Sequence, residues 1–296
     1  MGHVYTFSAS SREARAVESL MERGSYRGVS GLRTRGRIGS NDVTSIITGM
    51  GPSNARRSAE AALQDDNPAN GSSAVPFPTT AELASMSPRM PSLALVIGLA
   101  GSLTESIQEG ELVIYESCVT AEGHFEPCSK QLNNRIISSL SGAGIPSRLV
   151  AGISEPRIAG TRDEKLELAK TGAAAVDMES HEIVAVSRTV GVPIAVLRVI
   201  SDNMDKAMPN FNAALNSDGE FAPVALALAC VRRPLATAGL LVSSRRALKT
   251  LTRALNAILS TSLEPAGQDV IKVDSIMTSH VGHGHTQNQG DQADRA

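Results

Sequence analysis

The chain is predicted to be of the α/β class, as a single three-layer domain with a mixed, twisted central sheet flanked by helices. Three observations predict this. Apolar runs of strand length, among them 95–99 and 194–200, alternate with segments of helical spacing such as 180–190. Glycine and proline punctuate the joins, as in Gly49-Met50-Gly51 and Gly191-Val192-Pro193. At 296 residues and 42% hydrophobic, the chain is long enough to bury one full core and still carry extensions.

Taken in order, a first strand ends near Phe7, and Glu13 sits in the first turn of the helix that follows, where the macrodipole favours a carboxylate. Arg33, Arg35 and Arg37 alternate as strand residues do and line one solvated face of a hairpin. Residues 46–51 read as a strand and glycine turn, leading to a helix that begins near Asn54 and ends near Leu63. Residues 65–91 are an inserted loop rich in Asn, Ser and Pro, a composition that favours disorder. A strand starts at Leu93, and 109–114 leads into another apolar run. The short run 173–176, the helix 180–190 and the buried strand 194–200 complete a domain spanning 1–220. A helical extension is expected over 221–274 and a disordered tail over 275–296. In the extension, Leu241, Leu248, Leu251, Leu255 and Ile258 recur at helical steps, with Arg245, Arg246, Lys249 and Arg253 between them. Such a basic amphipathic helix either packs on the core or a neighbouring subunit, or lies on an anionic membrane surface.

The most informative stretch is 175–210, which sets two carboxylates and an arginine at the ends of successive elements. Glu179 follows one strand and Asp202 the next. In open α/β sheets ligand groups gather beyond the carboxyl ends of strands, so both carboxylates are expected to face one pocket. Arg198 lies four residues before Asp202, an even spacing that in a strand points both side chains to the same face. The set suits loss of a purine from a ribosyl group, in which the sugar becomes oxocarbenium-like and the departing base gains a proton. Asp202 is the candidate acid toward purine N7, in a pocket poor in water. Glu179 is expected to stay ionised and hold the ribose diol with its two oxygens. A plainer reading makes Asp202 and Glu179 helix caps and Arg198 the neutraliser of one of them.

Four segments carry a family resemblance. They are Val176-Asp177-Met178-Glu179-Ser180, Arg198-Val199-Ile200-Ser201-Asp202, the strand and glycine turn at 46–51, and Gly98-Leu99-Ala100-Gly101-Ser102-Leu103 followed by 109–114. In this order they resemble the nucleoside phosphorylase and nucleosidase superfamily across most of residues 3–215. The resemblance implies a nucleoside phosphorylase-like domain with a substrate site of Glu179, Met178, Ser201, Met50, Gly51, Ala100, Gly101 and Phe211, the last as a lid aromatic. The run from Phe7 to Ala14 is similar to the nucleosidase branch and adds Glu13; with Arg198 and Glu179 it implies a seat for the nucleophile. The closest wording, in 171–181 and the extension with Arg233-Pro234, resembles the hopanoid-associated phosphorylase subgroup. This implies release of adenine from adenosylhopane by phosphorolysis in hopanoid biosynthesis, with inorganic phosphate as co-substrate and no other cofactor. Leu99 stands where phosphorylases often place Ser or Thr, so phosphate would rely on Arg198, the amides of Gly49 to Gly51 and Gly101, or Ser102. Hydrolysis of 5'-methylthioadenosine or S-adenosylhomocysteine is the enzymatic alternative, and a silent nucleoside-binding member is the other.

Composition bounds the partners. A formal net charge of -2 leaves no global footprint for nucleic acid, and the 3% aromatic content, with no Trp, offers little base stacking. Small-molecule or lipid-linked nucleosides are the expected ligands, with peripheral membrane contact through 235–260. The resemblance implies a homo-oligomer. Three cysteines, Cys118, Cys128 and Cys230, lack metal-site spacing and suit a reducing cytoplasm, at the inner face of the membrane if the helix binds there. No apolar run reaches the length of a membrane span, and the first fifteen residues lack the apolar core of a signal peptide. His280, His283 and His285 lie in the tail, and no metal is expected.

Overall fold

The computed structural model describes residues 2–22, 26–27, 32–64, 90–205, 211–212, 234–261 and 263. The insertion 65–91, apart from Met90 and Pro91, and the tail with its three histidines lie outside the described residues. Five strands form an open sheet: β1 (His3–Ser8), β2 (Tyr26–Arg27), β3 (Arg33–Ile38), β4 (Asn41–Ile47) and β5 (Leu93–Ser102). β1 lies between β4 and β5, parallel to both, while β3 returns antiparallel to β4 and β2 antiparallel to β3.

The second half of the sheet curls on itself. β6 (Leu112–Val119), β7 (Phe125–Pro127), β8 (Ser147–Ser154), β9 (Ala175–Asp177) and β10 (Ile194–Asp202) follow in the chain. β10 runs parallel to β5 and antiparallel to β6; β6 and β8 are parallel, as are β8 and β9; and β9 returns antiparallel to β5. A ring of five strands results. The length of β5 makes it possible: β1 pairs with Leu93 to Val96, and beyond that point β9 takes Gly101 and Ser102. The mixed, twisted sheet expected from the sequence is present, and its closure into a ring is the feature that periodicity does not carry.

Helices cover both faces. On one side lie α1 (Ser11–Glu18), α3 (Lys130–Gly142) and α6 (Pro234–Leu259), burying Val17, Ile136, Leu140, Leu251, Leu255 and Ile258 with Leu95, Ile97, Leu197 and Val199. On the other lie α2 (Pro52–Leu63) and α5 (Ser180–Thr189), whose Ala55, Ala59, Ile183 and Val184 meet Tyr5, Phe7, Val96, Val196 and Ile200. The period of two along β5 and β10 sorts these residues, since both faces of an inner strand must be apolar. A smaller cluster of Leu103, Ile153, Ala173 and Val176 sits beside α4 (Arg162–Ala169).

α2 begins at Pro52, two residues before the expected Asn54, because Gly49 and Gly51 at φ 83° and 84° bring the chain into the helix with proline in its first turn. α6 uses its apolar stripe on the sheet: Leu251, Leu255 and Ile258 are fully buried, Leu248 is half-buried, and Leu241 is exposed. Its carboxyl end is latched by Asn41, whose Nδ2 donates to the carbonyls of Leu259 at 2.7 Å and Thr261 at 2.8 Å. Arg245, Arg246, Lys249 and Arg253 face outward. Among the described residues no helix is long and apolar enough to cross a membrane.

Candidate active site

Arg198 is the centre of the site. It lies on β10 with the parity of Val196 and Ile200, so it enters the face covered by α2 and α5, where apolar side chains would otherwise continue. A guanidinium there must be paired. Its Nε lies 3.3 Å from Asp177 Oδ2 and its Nη2 lies 3.5 Å from Glu179 Oε2. Nε and Nη2 also donate to Ser180 Oγ, at 3.3 and 2.9 Å, and Nη1 donates to the Leu99 carbonyl at 3.4 Å. Burial lowers the proton affinity of Arg198, but Asp177 and Glu179 outweigh it and hold the guanidinium charged.

Glu13 reaches the same place from α1. Ser10 caps that helix, and Glu13 Oε2 accepts from the Ser10 amide at 3.0 Å and its hydroxyl at 2.9 Å, a reciprocal capping box. Its other oxygen accepts from the Leu99 amide at 2.9 Å. Gly98 forms the floor beneath both groups, and a Cβ there would collide with Glu13 Oε1 and Arg198 Nη1. Any side chain at position 98 would separate the acid from the guanidinium.

Asp177 and Glu179 divide two roles that the sequence offered to Glu179. Glu179 occupies the N-cap position of α5 but makes no side-chain cap bond. The capping is done by Asp177, whose Oδ1 accepts from the amides of Glu179 and Ser180 at 2.9 Å each and from Ser154 Oγ at 2.8 Å. Burial raises the Asp177 carboxyl, yet Arg198 and the Ser180 bonds bring it below the usual range. Glu179 is thereby free to turn inward, and its Oε1 accepts from the Gly51 amide at 2.9 Å.

Glu179, expected from the sequence to stay ionised, has surroundings that raise its carboxyl toward neutral pH. Burial pushes its carboxyl up to about 7, with Asp177 and Glu13 adding to the rise against Arg198 and the Gly51 amide. Burial is the largest cause, and the crowding of three buried carboxylates around one guanidinium adds to it. Because the folded value of about 7 exceeds the ordinary 4.5, folding takes up a proton between them, and stability falls as pH rises through that window. A tenfold change in proton affinity is worth about 1.4 kcal/mol, so the loss across the window is roughly 3 kcal/mol. Glu179→Gln is therefore expected to match the wild type in urea unfolding at pH 4.5 and to exceed it at pH 8; parallel stabilities at the two pH values would contradict the assignment.

Asp202 lies at the end of β10, past a register shift. Ile200 pairs with Ala100 and Asp202 with Gly101, so one residue, Ser201, is accommodated as a bulge. The even spacing from Arg198 therefore does not by itself place Asp202. Gly101 makes room for it, since a Cβ there would lie 2.9 Å from Asp202 Oδ2. Oδ1 accepts from Ser201 Oγ at 2.8 Å, and Oδ2 accepts from Lys165 Nζ at 2.5 Å. The segment after Asp205, where a helix capped by Asp202 would lie, is outside the described residues; among the described residues the charged partner of Asp202 is a lysine the sequence had not marked.

The structure links Gly51 to Glu179 by a hydrogen bond and Glu179 to Arg198 by an ion pair, brings Glu13 and Arg198 together on the backbone of Leu99, and places Ala100, Gly101, Ser201 and Asp202 at the adjoining ends of β5 and β10. Met178 is buried between Asp177 and Glu179, and Met50 is half-buried, its carbonyl accepting from Asn54 Nδ2 at 3.0 Å. Phe211 is buried, and the neighbouring Asn212 fastens to the backbone of Ile158 at 2.9 and 2.8 Å. Those bonds run to Ile158 and not to the carboxylate cluster. Ser10, Ser154, Asp177, Ser180 and Lys165 were missed as site residues. Asp177 and Ser180 were legible as polar residues inside the motif; Lys165 had no signal.

The sequence matches the family model described as the Phosphorylase superfamily over residues 6–231. A comparison with curated protein sequences finds no significant match. Among solved structures, the chain is similar to the 5'-methylthioadenosine/S-adenosylhomocysteine nucleosidase of Neisseria meningitidis in complex with methylthio-immucillin-A. The two are 14% identical with a TM-score of 0.63, over 88% of this chain and 99% of that one. The nucleosidase of the same description from Helicobacter pylori, bound to butyl-thio-DADMe-Immucillin-A, is 17% identical with a TM-score of 0.60, over 86% and 98%. Native futalosine hydrolase of Helicobacter pylori strain 26695 is 17% identical with a TM-score of 0.59, over 86% and 97%. At these identities the structural likeness speaks for the fold, and the family match covers most of the chain. The chain belongs to the Phosphorylase superfamily and is an enzyme of the nucleoside phosphorylase or nucleosidase kind.

Proposed function

We propose that this enzyme cleaves the N-glycosidic bond of an adenosine-type nucleoside and releases adenine. The observation that carries the reading is the convergence of Glu13, Glu179 and Arg198 in one buried cluster, with Asp202 at the end of the strand that carries Arg198. Glu179, with one oxygen anchored by Gly51, offers the other to a ribose hydroxyl. Glu13 and Arg198 orient the nucleophile, and Asp202 serves the departing base. Met178, Met50 and Phe211 belong to the same reading as ribose, 5'-side and lid contacts.

The proposed substrate is adenosylhopane, split by phosphate in hopanoid biosynthesis. The wording of 171–181 and the basic extension support it. Peripheral contact with an anionic membrane through 235–260 and a homo-oligomer go with this reading; Arg245, Arg246, Lys249 and Arg253 form the outward side of α6. Hydrolysis of 5'-methylthioadenosine or S-adenosylhomocysteine is favoured by a specific observation. Three of the groups expected to hold phosphate are already engaged: Arg198 by Asp177, Glu179 and Ser180, the Gly51 amide by Glu179, and Ser102 Oγ by the Thr104 carbonyl at 2.8 Å. The two nucleosidases similar in fold carry that substrate pair in their descriptions.

The test is adenine release from adenosylhopane and 5'-methylthioadenosine, each with and without phosphate, the lipid being presented in neutral and in anionic vesicles. Phosphate-dependent release from adenosylhopane, faster in anionic vesicles, is the expected result. Phosphate-independent release from 5'-methylthioadenosine would replace phosphorolysis by hydrolysis, and silence with both would overturn the reading.

A further inference from the structure

Lys165 is the largest unexplained feature of the site. α4 is a short, polar helix, Arg162–Ala169, in which Lys165 is the one buried residue. Its neighbours Arg162, Asp163, Glu164, Leu166 and Glu167 are exposed. A helix normally docks through apolar side chains, and an ammonium is among the costliest groups to bury without a partner. Here it is fully buried, with Nζ 2.5 Å from Asp202 Oδ2 and 2.6 Å from the Asn203 carbonyl. The helix is set firmly for this purpose. Thr161 and Glu164 form a capping box at its start, and Arg162 pairs with Glu105 at 2.6 Å and with Asp205. α4 thus delivers one cation onto the carboxylate assigned to the departing base.

We propose that the Lys165–Asp202 pair, rather than Asp202 alone, supplies the proton to that base. Resting on the reading above, Lys165 is a positioning residue that acts through Asp202. As the glycosidic bond breaks, its electron pair stays with the base. Lys165 passes its proton to Asp202 Oδ2, and the carboxyl group so formed gives that proton to N7. The pair goes from ammonium and carboxylate to amine and carboxylate, and the base leaves neutral. In hydrolysis, the proton lost by the attacking water goes to Glu13, so total charge is conserved, and return of that proton through solvent restores Lys165 between turnovers.

Lys165→Arg tests the proton-supplying role, because a guanidinium keeps the ion pair but does not release a proton under these conditions. Lys165→Met, combined with Asp202→Asn to avoid an unpaired buried carboxylate, reports on folding without the pair. The substrates are 5'-methylthioadenosine and p-nitrophenyl 5-methylthioribofuranoside, whose nitrophenolate departs without protonation. In Lys165→Arg, adenine release is expected to fall about 100-fold or more, the scale of general acid catalysis, while nitrophenolate release stays within about threefold. Equal loss with both substrates would reduce Lys165 to a structural support, and an unchanged rate of adenine release would overturn the proposal outright; either result leaves the glycosidic reading standing. Adenine release from adenosylhopane with phosphate is measured beside them, and wild-type enzyme silent toward all three substrates would instead remove that reading and this proposal with it.

Discussion

Asp202→Asn is expected to lower adenine release by roughly 10²- to 10⁴-fold, the range for loss of a positioned acid, while leaving the enzyme folded. The fold should survive because the amide is nearly isosteric with the carboxylate and Lys165, left without its counter-charge, can shed its proton and stay buried as a neutral amine. Its oxygen can still accept from Lys165 Nζ or from Ser201 Oγ, the partners Asp202 has at 2.5 and 2.8 Å. The space over Gly101 that admits the side chain is unchanged. Activity should not survive, because an amide, whose N–H protons are not acidic, can neither take up the Lys165 proton nor pass one to the departing base. Single-turnover adenine release, read beside near-UV circular dichroism, checks both halves. Unchanged turnover would remove Asp202 from the chemistry, and an unfolded variant would mean that the ion pair with Lys165 is chiefly structural.

Arg198→Leu is expected to destabilise the protein by about 3–5 kcal/mol, the cost of stranding buried charges when one partner is removed. Three carboxylates depend on this guanidinium: Asp177 at 3.3 Å, Glu179 at 3.5 Å and Glu13 across Gly98. Total stabilities are on the order of 5–15 kcal/mol, so a loss of this size lowers Tm by about 10 °C or more. The loss should be greatest at alkaline pH and smaller below about 7, where Glu179 carries its proton. Arg198→Lys keeps the charge without the planar fork that spans Asp177, Ser180 and Glu179, and should recover part of the stability while leaving the nucleophile unplaced. Thermal unfolding of the two variants at pH 6 and pH 8 measures this; an Arg198→Leu protein as stable as wild type would show that the carboxylates relax to water.

Glu179 and Asp202 illustrate how far the residues alone could lead. Their position after strands was legible because the run 194–200 is apolar and uninterrupted, and because Gly191-Val192-Pro193 can only break the helix before it. The plainer reading of the same pattern gave the capping of α5 to Glu179, although Asp177 also stands before that helix. Which one caps is decided by space: Asp177, with the shorter side chain, reaches the amides of Glu179 and Ser180, and Glu179 extends to Gly51 on a distant turn. The charge state of Glu179 was beyond sequence reasoning for the same reason. Its shift arises from burial beside Arg198, Asp177 and Glu13, of which Arg198 and Glu13 are brought from other parts of the chain.

The sequence by itself determined the class of the fold, the order of its strands and helices, the family, and the identity of Glu13, Glu179, Arg198 and Asp202 as the residues to watch. These are local properties, written in period, in glycine turns and in short motifs. Only the tertiary structure decided that the sheet closes into a ring through β5, that the amphipathic stripe of α6 is used by the core, and that a bulge at Ser201 sets the aim of Asp202. It alone decided that Lys165 is the partner of Asp202. A lysine on a polar helix looks solvated in sequence, and whether it is buried depends on what the rest of the fold places above it.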